Sequence, residues 1–156
     1  METLIDSTAP IPLRTLLVVE DQKSVLSTLQ FLFEASGYIV VPAESGAAAL
    51  ALLPGRTIDV ALIDLHMPGM SGTEVCRRVL AHAAETHCPI RVWLMTASYS
   101  TESALKVAEA GALGLLRKPF EWPTLRETIE RSLDAAPPAP LEPMAASTAA
   151  ETGSAA

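Results

Sequence analysis

Polar residues follow four apolar runs of this chain, at or near the points where the runs end, and their types suit the binding of a cation and an anion. The runs are bounded by turn residues and are typical of strands covered on both faces, as in a parallel sheet. Because the carboxyl ends of parallel strands meet at one edge of a sheet, we expect these polar side chains to lie close together. They are Glu20 and Asp21, Asp64, Thr96 and Lys118.

Three carboxylates held at one edge repel one another unless a cation lies among them. A hard divalent ion with oxygen ligands, above all Mg²⁺, removes that repulsion, and we expect Glu20, Asp21 and Asp64 to bind it. Lys118 adds a positive charge that can hold the oxygens of an anion, and Thr96 adds a hydroxyl. A metal ion, a lysine, a hydroxyl and one protruding carboxylate are the parts needed for phosphoryl transfer to that carboxylate, Asp64.

The predicted elements alternate between strand and helix five times. Apolar residues at helical spacing and glycines at helix ends support the helices. This alternation predicts an α/β fold, a doubly wound five-stranded parallel sheet of the (βα)5 type with helices on both faces and right-handed crossovers. We predict strands over 14–19, 38–42, 59–63, 90–95 and 113–116, and helices over 22–36, 46–53, 72–83, 101–110 and 122–135.

The 156 residues are enough for one domain with a sizeable core, and we expect that domain to span residues 14–135. Residues 1–13 contain two prolines and no periodicity, so they are expected to form an N-terminal arm. From residue 136 to residue 156 the sequence consists mainly of Ala, Pro, Ser and Thr. Because such a segment cannot bury enough apolar surface to order itself, we predict a disordered tail and no output domain after the last helix.

The composition excludes several classes of function. Eighteen acidic residues against eleven basic ones give a net charge of −7, which argues against a nucleic-acid surface. No apolar run approaches the roughly 18 residues that a membrane span needs, and no signal peptide is evident. Cys76 and Cys88 have no partners at metal-binding spacing, so we expect partly buried, reduced thiols in a cytoplasmic protein.

Taken together, the motifs resemble the receiver domain of bacterial two-component signalling. The resemblance covers roughly residues 15–133, in the order and at the spacing of the family. It implies a stand-alone, chemotaxis-regulator-like response regulator with the flavodoxin-like strand order 2-1-3-4-5, which signals and is not an enzyme acting on a separate substrate. The motifs are Glu20-Asp21, Asp64 with Met67-Pro68-Gly69 and Gly72, Thr96-Ala97, and Lys118-Pro119-Phe120.

The resemblance implies a phosphoryl acceptor and a metal site. Asp64 would accept the phosphoryl group from a histidine kinase or a histidine phosphotransfer protein. Asp21 would bind Mg²⁺ directly, together with Asp64 and the backbone carbonyl of His66. Glu20 would reach the ion mainly through water.

It also implies two contacts to the phosphoryl group and a route for the signal. Thr96 and Lys118 would each hold a phosphoryl oxygen, and the Lys118–Pro119 peptide bond would be cis, which costs far less before proline than elsewhere. The signal would leave through contacts with an unknown downstream protein, or through a homodimer formed by the face of residues 101–135.

Three features depart from the family pattern, and two of them, Leu115 and the lack of an expected output domain after the last helix, leave an alternative open. Leu115 lies where many receivers carry an aromatic ring, three residues before the lysine, so the usual ring flip is not expected. His66, two residues after the acceptor, is expected to control the access of water. The alternative function is an interaction or dimerisation module with the same fold that works without phosphorylation. Two other classes of protein do not fit the sequence. An aspartyl phosphatase of the haloacid dehalogenase type would need a second acid where this chain has His66. A flavodoxin-like FMN protein would need a hydroxyl- and glycine-rich phosphate loop where this chain has Glu20-Asp21.

Overall fold

The protein contains a five-stranded parallel sheet with helices on both faces. The computed structural model describes residues 13–136. The strand order is β2-β1-β3-β4-β5, and every neighbouring pair is parallel, so the predicted fold class and strand order are confirmed. The elements are β1 (Thr15–Val19), α1 (Lys23–Ala35), β2 (Ile39–Ala43), α2 (Gly46–Leu52), β3 (Val60–Asp64), α3 (Gly72–Thr86), β4 (Arg91–Thr96), α4 (Thr101–Glu109), β5 (Gly114–Arg117) and α5 (Trp122–Asp134).

The domain predicted over 14–135 lies within the described residues. The predicted N-terminal arm and the predicted tail lie outside them, except for Leu13 and Ala136, and both stay predictions. None of the helices in the described part of the chain combines the length and the apolar character that crossing a bilayer requires.

The central strand β3 explains why the sequence reads as a continuous apolar run at this point. All five of its residues are buried. Ala61 and Ile63 face the core layer under α2, α3 and α4. Val60 and Leu62 face the second layer, under α1 and α5. A strand covered on both faces has no solvent side that would call for polar residues, and its only polar residue is Asp64, at its end.

Most predicted element boundaries agree with the structure to within one residue, and α3 is the exception. The sequence predicts its end at Ala83, whereas the helix continues to Thr86, and His87 follows in the left-handed region with φ 57°. The last turn is exposed, so it carries no apolar periodicity. It ends with the Thr86 hydroxyl donating to the carbonyl of His82, at 2.9 Å.

The two cysteines differ more than the sequence suggested. Both are free thiols, but Cys76 is fully buried and Cys88 is exposed, so the expectation of two partly buried thiols is wrong. Cys76 lies on the inner face of α3, where its Sγ donates to the carbonyl of Ala110 at 3.6 Å. Cys88 lies just beyond the end of α3, in a segment with no periodic pattern from which its exposure could be inferred.

We expect iodoacetamide to modify one thiol of the native protein and two of the unfolded protein. The thiolate is the reactive form, and burial raises the pKa of Cys76 to about 12, so Cys76 is both inaccessible and protonated at neutral pH. Cys88→Ser should therefore abolish labelling of the native protein, as measured by intact mass. Labelling of native Cys88→Ser at the rate seen in denaturant would contradict this placement of Cys76.

Candidate functional site

The carboxyl ends of four strands bring the predicted site residues to one edge of the sheet. Asp64 ends β3 and Thr96 ends β4, while Glu20 and Lys118 directly follow β1 and β5. Backbone hydrogen bonds beyond the strands hold this edge together. The Leu65 N–H donates to the carbonyl of Met95 at 2.8 Å, and the Lys118 N–H donates to the carbonyl of Thr96 at 2.7 Å.

The three acids form the cluster that the sequence predicts. One carboxylate oxygen each from Glu20, Asp21 and Asp64 lies within 4.8 Å of the others. Glu20 is fully buried, Asp64 is 5% exposed, and Asp21 is partly exposed. A compact set of carboxylate oxygens that is open to solvent on one side fits Mg²⁺, which prefers one or two carboxylates and keeps several waters.

Lys118 makes an ion pair that the sequence analysis did not predict. Its Nζ lies 2.7 Å from Oε1 of Glu20 and 3.5 Å from Oδ2 of Asp64. Burial is the largest influence on Glu20 and raises the pKa of its carboxyl group, while hydrogen bonds from Lys118 and from the Gln22 N–H lower it in part. A buried carboxylate needs a cationic partner. The sequence did contain a signal for an ion pair, since one lysine placed among three acids is expected to pair with one of them.

Thr96 lies at the edge, but its hydroxyl is engaged by its own loop. The side chain is fully buried. The hydroxyl donates to the carbonyl of Ser98 at 3.2 Å and accepts from the Ser98 N–H at 3.0 Å. Both hydrogen bonds that the structure gives this hydroxyl therefore lead into the segment between β4 and α4.

The turn between β3 and α3 depends on its glycines. Gly69 has φ +81°, a conformation that favours glycine. A Cβ at Gly72 would clash with the carbonyl oxygen of Asp64 and lie 2.7 Å from Cα of Leu65, so only glycine lets α3 begin this close to the acidic cluster. His66 is exposed, and its N–H lies 3.4 Å from Oδ1 of Asp64.

The region around β5 confirms one expectation and adds one feature. The Lys118–Pro119 peptide bond is cis, as the resemblance implied. Leu115 packs at the edge of the core layer under α4, in the place where many receivers carry a ring. An aromatic side chain from another segment does contact β5, since Tyr99 stacks on Arg117, two residues after Leu115, with 4.9 Å between the ring centroid and the guanidinium carbon. No pattern in the sequence indicates this pair.

A cleft of about 470 Å³ opens beside Lys118, between α1 and the start of α5. Trp122 lies on its wall and contacts Phe33 edge-on, with ring centroids 4.9 Å apart. The side chain of Trp122 thus covers the edge of the core and also faces the cleft. Ala97, Pro119 and Phe120 also line the cleft.

Comparisons with known proteins identify the family to which the chain belongs. The family model described as the response regulator receiver domain matches residues 16–130. The transcriptional regulatory protein ZraR of Salmonella typhimurium is 36% identical over 118 residues, 76% of this chain and 26% of that protein. FixJ of Bradyrhizobium diazoefficiens is 30% identical over 122 residues, which make up 78% of this chain and 58% of FixJ.

Solved structures show the same relationship. The chemotaxis protein CheY4 of Vibrio cholerae is 31% identical with a TM-score of 0.71, and the match covers 77% of this chain and 98% of that one. A CheY-like receiver domain protein of Methanospirillum hungatei is 28% identical with a TM-score of 0.71, over 79% and 95% of the two chains. The chain spans about a quarter of the length of ZraR. The chain belongs to the response regulator receiver domain family.

Proposed function

We propose that this receiver accepts a phosphoryl group on Asp64 from a phosphohistidine of a histidine kinase or a histidine phosphotransfer protein. A carboxylate oxygen of Asp64 would form the new O–P bond as the N–P bond of the phosphohistidine breaks, and the histidine nitrogen would keep the electron pair. The observation that supports this most strongly is the convergence of Glu20, Asp21 and Asp64 with Lys118 at one sheet edge.

The residues around Asp64 would bind the metal ion and contact the phosphoryl group. Asp21, Asp64 and the backbone carbonyl of His66 would hold Mg²⁺, and Glu20 would reach it through water. The ion would supply positive charge that offsets the negative charge of the transferred group. The Lys118 ammonium lies 3.5 Å from Oδ2 of Asp64. It is therefore close enough to contact an oxygen of a phosphoryl group attached to Asp64. The Thr96 hydroxyl would donate to another phosphoryl oxygen.

The signal would leave through contacts of the receiver's own surface. The face of residues 101–135 carries two exposed leucines, Leu105 at 60% and Leu113 at 44% exposure, which suit a downstream protein or a second copy of the chain. Cytoplasmic location is part of the proposal, and so is the absence of nucleic-acid or membrane binding. The protein would catalyse only its own phosphorylation and dephosphorylation.

Acetyl phosphate with Mg²⁺ should add one phosphoryl group to the protein, as measured by intact mass. The modification should be lost on treatment with hydroxylamine, which cleaves acyl phosphates, and it should not form in excess EDTA. No modification under these conditions, or a hydroxylamine-stable one, would contradict the proposal.

A phosphorylation-independent interaction module remains the second candidate because of Leu115, which replaces the ring on which many receivers rely. Under that candidate, the oligomeric state and partner binding would be identical with and without the phosphoryl group. Under the proposal above, at least one of them changes.

A further inference from the structure

The stacked pair of Tyr99 and Arg117 joins two segments on either side of the site. Tyr99 lies in the loop between β4 and α4 and is 46% exposed, while Arg117 is the last residue of β5. The guanidinium lies over the ring, a favourable cation–π geometry. Neither side chain has a part in holding the metal ion or the phosphoryl group as proposed above.

The backbone of Arg117 belongs to the sheet, whereas the backbone of Tyr99 lies outside it. Arg117 pairs with Thr96 in the ladder between β4 and β5, and the next residue, Lys118, donates its N–H to the carbonyl of Thr96 at 2.7 Å. The backbone of Arg117 is therefore held by the sheet. Tyr99 lies beyond the end of β4, and the residue before it, Ser98, is tied to the sheet through the Thr96 hydroxyl.

The hydrogen bond that Thr96 donates to Ser98 is incompatible with one that Thr96 donates to a phosphoryl group. A threonine hydroxyl has a single proton to donate, and here the proton goes to the carbonyl of Ser98. A phosphoryl oxygen carries negative charge and accepts a stronger, charge-assisted hydrogen bond than a carbonyl does. When Thr96 donates to the phosphoryl group, the Ser98 carbonyl loses its hydrogen bond and only the bond from the Ser98 N–H to the Thr96 oxygen is left, so the backbone that carries Tyr99 is held less firmly.

We propose that Tyr99 takes over the role of the ring that is absent at Leu115. This inference rests on the function proposed above. In the unphosphorylated protein Tyr99 is stacked on Arg117. When Asp64 is phosphorylated, Thr96 turns to the phosphoryl group, Ser98 moves, and Tyr99 separates from Arg117. Both side chains are exposed, so their separation changes the surface between the β4–α4 loop and β5 that a partner would contact.

The chain contains two tyrosines, which makes a direct test practical. In a Tyr38→Phe background, which keeps the ring that contacts Phe33, 3-fluorotyrosine reports on Tyr99 alone by ¹⁹F NMR. Beryllofluoride with Mg²⁺ serves as the phosphoryl mimic, and its own bound resonance appears in the same spectrum. We expect the Tyr99 resonance to move when the bound beryllofluoride resonance appears.

Two variants test the route. Thr96→Val removes the hydroxyl at nearly constant shape, and we expect it to reduce the beryllofluoride-induced change at Tyr99 by at least about fivefold, because no proton donor is left to exchange partners. Arg117→Gln removes the stacking partner, so the resonance of the mimic-free protein should already lie near the position of the mimic-bound protein. Arg126→Gln, which removes an exposed arginine of α5, is the matched control and should change neither position.

The outcomes separate the two levels of the proposal. A bound beryllofluoride resonance with an unmoved Tyr99 resonance would overturn the Tyr99 switch and leave the proposed function intact. An equal movement in Thr96→Val would overturn the route through the hydroxyl. Failure of beryllofluoride to bind at all would overturn the proposed function, and the switch with it.

Discussion

Asp64→Asn should abolish phosphorylation by acetyl phosphate while the protein stays folded and becomes more stable. Asp64 is the last residue of the central strand β3 and is buried, and an amide cannot form an acyl phosphate. Removing one of three crowded acids also relieves repulsion, while Lys118 keeps Glu20 at 2.7 Å as its partner. We expect a gain of order 1 kcal/mol in the free energy of unfolding without metal.

Asp59→Asn is the matched control, since Asp59 immediately precedes the same strand and lies at its other end. Its carboxylate accepts from the Thr15 N–H at 2.8 Å and lies 3.9 Å from Arg14. This variant should be phosphorylated normally and lose at most about 1 kcal/mol, because the amide oxygen can still accept from the Thr15 N–H and only the partly exposed ion pair with Arg14 is removed. Intact mass measures phosphorylation and urea unfolding measures stability. A hydroxylamine-labile phosphoryl group on Asp64→Asn would show that the acceptor is another residue.

Much of this fold was predictable because the information is local and repeats along the chain. Strands buried on both faces read as continuous apolar runs, and helices with one buried face show a period near 3.6. Once the strands are parallel, the residues after them must share an edge. Asp64, Thr96 and Lys118 could therefore be placed together from the sequence, although they lie far apart along the chain.

What could not be predicted depends on which side chains meet at that edge. Lys118 pairs with Glu20 in preference to Asp64 because its Nζ lies 2.7 Å from the first carboxylate and 3.5 Å from the second, a difference that no periodic pattern encodes. The stacking of Tyr99 on Arg117 joins a loop to the last residue of a strand. The exposed final turn of α3 has no apolar face to mark it. The first two features arise from tertiary contacts between segments far apart in the sequence, and the last turn of α3 is held by local hydrogen bonds without an apolar face.

Asp21→Ala should remove the response of the protein to Mg²⁺ more completely than Glu20→Ala. A ligand that binds the native state alone stabilises it by mass action, by about 1.4 kcal/mol at a concentration of about ten times Kd. Glu20 is fully buried and paired with Lys118, so it is poorly placed to bind an ion directly. Asp21 is partly exposed and lies in the same cluster, where its carboxylate can reach an ion that keeps its waters.

The two variants should therefore differ in how much Mg²⁺ raises their melting temperature. Without Glu20, the Lys118 ammonium is left with Asp64 as its acidic partner and competes with the ion there, so Glu20→Ala should weaken Mg²⁺ binding but keep a measurable rise in melting temperature. Glu44→Ala removes an exposed acid that follows β2 at the same sheet edge, and it should respond like the wild type. Differential scanning calorimetry with and without Mg²⁺ measures all four proteins. If Asp21→Ala and Glu20→Ala both keep the full wild-type shift, the ion binds at a different site, since neither acid then contributes to holding it.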